Sequence, residues 1–210
     1  VISKGAVLFV FVSVLYTVFK PLGEAWYNML FVLSIATILI GNLFAIRQEN
    51  FIRFLAFSSI AQVGFILVGI TGHSDIGTTS VVYFVLIYLF SNLAAFGVIA
   101  VVSSMTGKES IDDYKAFYKT NPMLSWILTI ALFSLAGVPP TAGFFGKYFL
   151  LMSGAGAGNY LLIAIAALNL VISFYYYLRV VKAIFMDSNE KPIEPIAIPL
   201  MPRLALYVCI

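Results

Sequence analysis

The run LAGVPPTAGFFGKYFLLMSG, residues 135–154, places Pro139, Pro140, four glycines and a lysine inside an otherwise apolar stretch. Adjacent prolines remove backbone donors and clash with the preceding turn, so a continuous helix through them is excluded. A charged ammonium in hydrocarbon costs about 3 kcal/mol even on insertion scales. The surrounding apolar run extends over 124–154, and 31 helical residues would measure about 46 Å against a hydrocarbon core of about 30 Å. A break at Gly137, Pro139, Pro140 and Gly143 resolves the excess, giving two half-helices that meet near the middle of a membrane.

The rest of the chain fits that setting. Of 210 residues, 62% are hydrophobic and only 10% charged, far below the roughly 25% charged residues of soluble domains. Apolar runs recur at 1–19, 26–46, 55–72, 81–104, 124–154 and 160–186, with another begun at 204. The pattern predicts an all-α, polytopic transmembrane helical bundle; the alternation of a porin strand is absent, and a soluble helical core does not fit. Cys209 and His73 are each the only residue of their type. The sequence therefore offers no disulfide framework, thiolate cluster or histidine pair for a metal or haem. The opening at Val1 without methionine and the close in a fresh apolar run read as part of a longer subunit.

If the runs alternate direction, Arg47, Arg53, Lys108, Lys115, Lys119, Arg179, Lys182, Lys191 and Arg203 share one side, and only Lys20 falls on the other. The basic side is expected to be cytoplasmic, or matrix in a mitochondrion. The net charge of +3 then reflects topology, and no nucleic-acid partner is implied. MTGKESIDDYKAFYKTNPM (105–123) reads as a polar surface connection with a short helix begun at Ser110, and DSNEKPIEPIAIPL (187–200) as an extended connector.

Two lysines belong to neither surface. Lys147 has a snorkelling reading, with its stem laid along apolar groups and its head at the interface. Against it, residues 148–154 still separate the lysine from the end of the run. The functional reading is a hydrated cavity lined by the broken helix, in which a lysine takes up and releases a proton. Lys4 opens VISKGAVLFVFVSVLY, and residues 5–19 supply only about 22 Å of helix, so the span is expected to continue upstream and to hold Lys4 within the membrane. Ser58, Ser59 and Gln62 sit on the helix of residues 51–70, with Ser58 and Gln62 four apart on one face. They suit either interhelical hydrogen bonds or a polar step between the lysines. Ser91 and Asn92 in LIYLFSNLAAF carry the same two readings. Tyr148 is a further candidate for the polar axis, and Tyr175, Tyr176 and Tyr177 read as interfacial anchors beside Arg179, with packing or relay as alternatives.

NLFAIRQENFIRFLAFSSIAQVGFILVGI (42–70), FSLAGVPPTAGFFGKYFLL (133–151) and FYYYLRVVKAIFM (174–186) together resemble the antiporter-like membrane subunits of respiratory complex I, most closely the branch of subunit N and mitochondrial subunit 2. The broken-helix motif is also similar to that of Mrp-type sodium/proton antiporters. The resemblance implies two inverted five-helix repeats, each with a discontinuous helix. On that pattern residues 1–19 are the last helix of the first repeat, 26–186 the second repeat, and 187–210 a connector and the start of a C-terminal helix. It implies that Lys147 and Lys4 form a proton relay, with Gln62 standing where many members have histidine. It implies other membrane-arm subunits and lipids as partners, with NADH, FMN, iron–sulfur clusters and quinone held by partner subunits and none by this chain. A subunit of a cation/proton antiporter and an ion-inert membrane scaffold are the alternatives.

Overall fold

The structure is a computed structural model that describes residues 2–72, 75–156, 158–189 and 191–209, without the side chains of Ile2, Lys4, Asp75 and Ile76. His73 lies outside the described residues. Nine α-helices follow in order among the described residues: α1 (Ile2–Thr17), α2 (Gly23–Ile46), α3 (Phe51–Thr71), α4 (Asp75–Thr106), α5 (Phe117–Thr120), α6 (Pro122–Ala136), α7 (Ala142–Gly156), α8 (Tyr160–Phe185) and α9 (Leu200–Val208). Short 3₁₀ turns occupy Lys20–Leu22 and Ile111–Tyr114. Segments Lys20–Ile46, Phe51–Thr71, Gly77–Thr106 and Tyr160–Phe185 are long and apolar enough to cross a bilayer. The protein is an integral membrane protein, and α6 and α7 divide one further crossing between them.

The central helix is α3, which packs against α2, α4, α7 and α8. Its face carries small residues, so neighbours approach closely: a Cβ on Gly64 would lie 2.8 Å from Thr37 Oγ1 and 2.9 Å from the Ile38 backbone nitrogen. Without a hydrophobic drive between helices in lipid, such close approach and interhelical hydrogen bonds hold the bundle. The second device is a buried polar node between α2 and α8. Asn42 Nδ2 donates to Asn169 Oδ1 at 3.1 Å, and the Tyr176 hydroxyl donates to Asn42 Oδ1 at 2.8 Å.

That node corrects one expectation. Of the three tyrosines read as interfacial anchors, only Tyr175 faces outward, 62% exposed, whereas Tyr176 and Tyr177 are fully buried. At about 100° per residue, α8 turns those two toward the stripe of Ala166, Asn169, Ser173 and Val180.

One end of the bundle gathers the basic loops. Lys108 Nζ reaches the Lys191 carbonyl, Arg179 Nη2 the Gln48 carbonyl at 3.3 Å, and Asn121 Nδ2 the Glu194 carbonyl at 3.0 Å. Asn121 Oδ1 also accepts from the Ile196 N–H at 2.8 Å, so one side chain pins the connector across the start of α6. The α2–α3 turn and the loop after α4 pair as a short antiparallel bridge, with the Phe51 N–H on the Glu109 carbonyl and the Ile111 N–H on the Glu49 carbonyl, both 2.8 Å. The Glu109 carboxylate accepts from Asn50 Nδ2 at 3.0 Å and Ser103 Oγ at 2.9 Å, which holds it below the usual carboxylate range. The charged form is thus favoured in the fold, and this contribution is present above the ordinary value and lost as pH falls through the lowered one. Glu109→Gln is expected to reduce the melting temperature of the detergent-solubilised protein by a few degrees at neutral pH. The gap from the parent should close in acid; a gap equal at every pH would contradict this account.

Candidate functional site

The site begins with how α6 stops. Gly137 takes a left-handed conformation (φ 85°), and its N–H donates to the Phe133 carbonyl at 2.9 Å, as does the Val138 N–H at 3.0 Å. A left-handed residue after a helix is the ordinary glycine stop, since a Cβ is penalised there. Val138 to Thr141, with Pro139 and Pro140, then carry the chain to the start of α7. The end of a helix leaves four carbonyls without intrahelical partners. Here the Phe133 and Ser134 carbonyls are taken by backbone N–H groups of the turn. The Leu135 and Ala136 carbonyls are taken by side chains.

The first donor is Lys147. Helix α7 buries Gly143, Gly146, Lys147, Leu150, Ser153 and Gly154, a stripe at helical spacing that packs on α3 and α4. Lys147 belongs to that stripe, so its side chain is aimed inward and is 1% exposed. Its Nζ donates to the Leu135 carbonyl at 2.7 Å and the Ala136 carbonyl at 2.9 Å, and lies 5.0 Å from the centre of the Phe65 ring. Neither of the two ion pairs among the described residues involves it. The ammonium is therefore held by the negative end of α6 and an aromatic face, without a carboxylate. Hydrogen bonds to a charged group contribute roughly 1.5–3 kcal/mol each, enough to offset the insertion cost. Snorkelling is ruled out by these contacts.

The second donor is Gln62, 1% exposed on α3, whose Nε2 reaches the same Leu135 carbonyl at 2.8 Å. Among the described residues its Oε1 is buried with no hydrogen-bond partner, as is the Tyr177 hydroxyl. Gln62 and Ser58 are the side chains that face that hydroxyl. Tyr88 of α4 comes next, set against Ser59 and Asn92. Ser59 also lines a cavity of about 390 Å³ between α3 and the Ser3, Val7 and Leu8 positions of α1. On the other side, Ser91 Oγ donates to Ser134 Oγ at 2.8 Å, beside the helix stop.

Of the residues singled out from sequence, the structure thus brings Lys147, Gln62, Ser58, Ser59, Ser91 and Asn92 into the bundle interior, around the break at Gly137, Pro139, Pro140 and Gly143. Tyr148 is a correction. One residue beyond Lys147 on the same helix, it turns outward, 48% exposed and stacked on Phe144, and takes no part in the interior cluster. Lys4 is a position of α1 whose side chain lies outside the described residues. Tyr88, Tyr177 and Ser134 complete the cluster. Thr129, buried on α6 with a hydroxyl unpartnered among the described residues, and the Asn42 and Asn169 of the α2–α8 node were passed over in the sequence, although each is a polar residue in an apolar run.

A profile described as NADH:quinone oxidoreductase/Mrp antiporter, TM matches residues 1–173. The chain belongs to this family. Among the relatives, NADH-quinone oxidoreductase subunit N of Phocaeicola vulgatus is 47% identical over the whole of this chain, which covers 45% of that protein. The subunit N of Azobacteroides pseudotrichonymphae is 48% identical, again over the whole chain and 44% of the relative. The chain therefore spans somewhat under half the length of these relatives. The fold is similar to a chain of respiratory complex I from Thermus thermophilus, with a TM-score of 0.73 and 28% identity over 87% of this chain and 41% of that one. A chain of the Mrp complex from Dietzia sp. gives a TM-score of 0.74 and 27% identity over 79% and 31%.

Within this family member, the seat of Lys147 depends on how tightly α7 closes on α6. A Cβ on Gly143 would overlap the Ser134 carbonyl, so no side chain fits there while the two half-helices stay together. Gly143→Ala is expected to push α7 away from α6, lower the melting temperature by several degrees and expose Lys147 to amine-reactive reagents. Unchanged melting and an unreactive Lys147 would refute the close contact.

Proposed function

We propose that the chain is part of a proton-translocating membrane-arm subunit of respiratory complex I, coupling NADH:quinone electron transfer to proton movement through intramembrane lysines. One observation carries the reading: a buried lysine amine, unpaired with any carboxylate among the described residues, seated on the last two carbonyls of a broken transmembrane helix. Those carbonyls accept from an ammonium and from a neutral amine alike, so the lysine can exchange its proton without stranding a buried acceptor. Such unwound backbone and half-helix ends are what membrane transporters use around their ions.

Lys147 is the relay group at the break. Gln62, Ser58, Tyr177, Tyr88, Ser59 and Asn92 supply hydrogen-bonding side chains from there toward α1, on which Lys4 is the second relay group. The 47% identity to a protein named NADH-quinone oxidoreductase subunit N supports complex I over an Mrp-type cation/proton antiporter. The redox partners, NADH, FMN, iron–sulfur clusters and quinone, belong to other subunits, and this chain contributes proton transfer alone. The loop end that carries Arg47, Lys108, Lys115, Lys119 and Lys191 faces the cytoplasm or matrix.

The test is proton pumping and NADH-driven quinone reduction in membranes whose assembled complex carries Lys147→Ala or Lys147→Arg, with assembly followed on native gels. Both variants should assemble and lose pumping and coupled turnover together by about tenfold or more, the scale of a lost proton-transfer group. Arginine fails in this reading because it keeps its charge and does not release a proton. Full pumping in the alanine variant would turn the chain into an ion-inert scaffold. Copurification with cation/proton antiporter subunits in place of NADH dehydrogenase subunits would transfer it to the Mrp branch.

A further inference from the structure

The Leu135 carbonyl has two donors from two different helices. Lys147 Nζ reaches it from α7 at 2.7 Å and Gln62 Nε2 from α3 at 2.8 Å, whereas among the described residues Lys147 alone serves the Ala136 carbonyl. A carbonyl oxygen accepts through two lone pairs, so both donors are accommodated at once. The acceptor also fixes the orientation of the Gln62 amide, because only its nitrogen end can face a carbonyl. The oxygen end is then turned away from that carbonyl, buried and without a hydrogen-bond partner among the described residues, on a side chain that faces Tyr177.

We propose that Gln62 is a positioning residue that makes the seat of Lys147 reversible: it keeps the Leu135 carbonyl bonded when the amine leaves, and its Oε1 is the first acceptor the amine meets on the way. This rests on the relay reading of Lys147. A buried carbonyl deprived of its donor is heavily penalised, and that penalty would otherwise fall on both helix-end carbonyls each time the lysine moved. With Gln62 in place it falls on Ala136 alone. The two ends of one carboxamide lie a bond angle apart, so the side chain that shares the Leu135 carbonyl with the lysine also carries an acceptor for it. The Gln62 side chain faces the Tyr177 hydroxyl, which continues the polar path. Gln62 carries no exchangeable charge; its part is to hold acceptors in place while the proton carrier changes position.

Three variants separate this from a packing role. Gln62→Leu keeps a buried side chain of similar bulk but has neither donor nor acceptor. Gln62→His keeps one ring N–H and one acceptor nitrogen. Gln62→Glu has acceptors only and pairs with Lys147. Proton pumping and quinone reduction would be measured in assembled complexes, with Lys147→Ala in parallel. Expected is a loss of about tenfold or more in the leucine and glutamate variants, and activity within about threefold of the parent in the histidine variant. An assembled leucine variant that pumps like the parent would overturn the proposal. So would a histidine variant that falls as far as the leucine one. Should the leucine variant fail to assemble, the contrast between histidine and glutamate decides, and equal behaviour of those two overturns it. If Lys147→Ala itself pumps normally, the relay reading fails first. If Lys147→Ala is inactive while Gln62→Leu is unaffected, only the role of Gln62 is lost.

Discussion

The bond between the Lys147 amine and the open end of α6 is the constraint around which the site is arranged. A helix that stops inside a membrane exposes carbonyls that hydrocarbon cannot satisfy, and an amine buried there needs acceptors. Each defect is the remedy for the other. Gly137 ends the helix, Gly143 lets α7 close against it, and the inward stripe of α7 delivers the lysine. Remove the amine, and the Ala136 carbonyl is orphaned and the Leu135 carbonyl is left to Gln62; remove the break, and the amine has no acceptor.

The central helix α3 completes this arrangement from the side. Its serines and glycines make it thin enough to be surrounded, and Gln62 and Phe65 then border the lysine from a single face. The node of Asn42, Asn169 and Tyr176 fixes α2 to α8 at the same time, and Tyr176 and Tyr177 are in ring contact at 4.8 Å. One turn of α8 thus serves both the packing of the bundle and the border of the site.

The broken helix, the spans and Lys147 were legible in the sequence because each violates a strong rule: two prolines and a charge do not sit in an apolar run without a structural reason. What was not legible is which way a residue faces on a helix that is apolar all round. In a soluble helix the polar face marks the outside, but lipid is as apolar as the core, so the pattern does not distinguish Tyr175 from Tyr176 or Lys147 from Tyr148. The pairing of Asn42 with Asn169 spans 127 residues and has no local signature. The decisive acceptors, the carbonyls of Leu135 and Ala136, are backbone atoms, and a sequence does not name which of them lacks a donor.

The separations along the chain have a consequence for how the site comes together. Lys147 reaches back only 12 and 11 residues to its two carbonyls, whereas Gln62 is 73 residues from Leu135. On a flexible-chain estimate, closing the longer loop costs about 1.6 kcal/mol more in entropy. The seat of the lysine is thus a local contact within the interrupted span, and the bond from α3 is the long-range one that ties the span to the rest of the bundle.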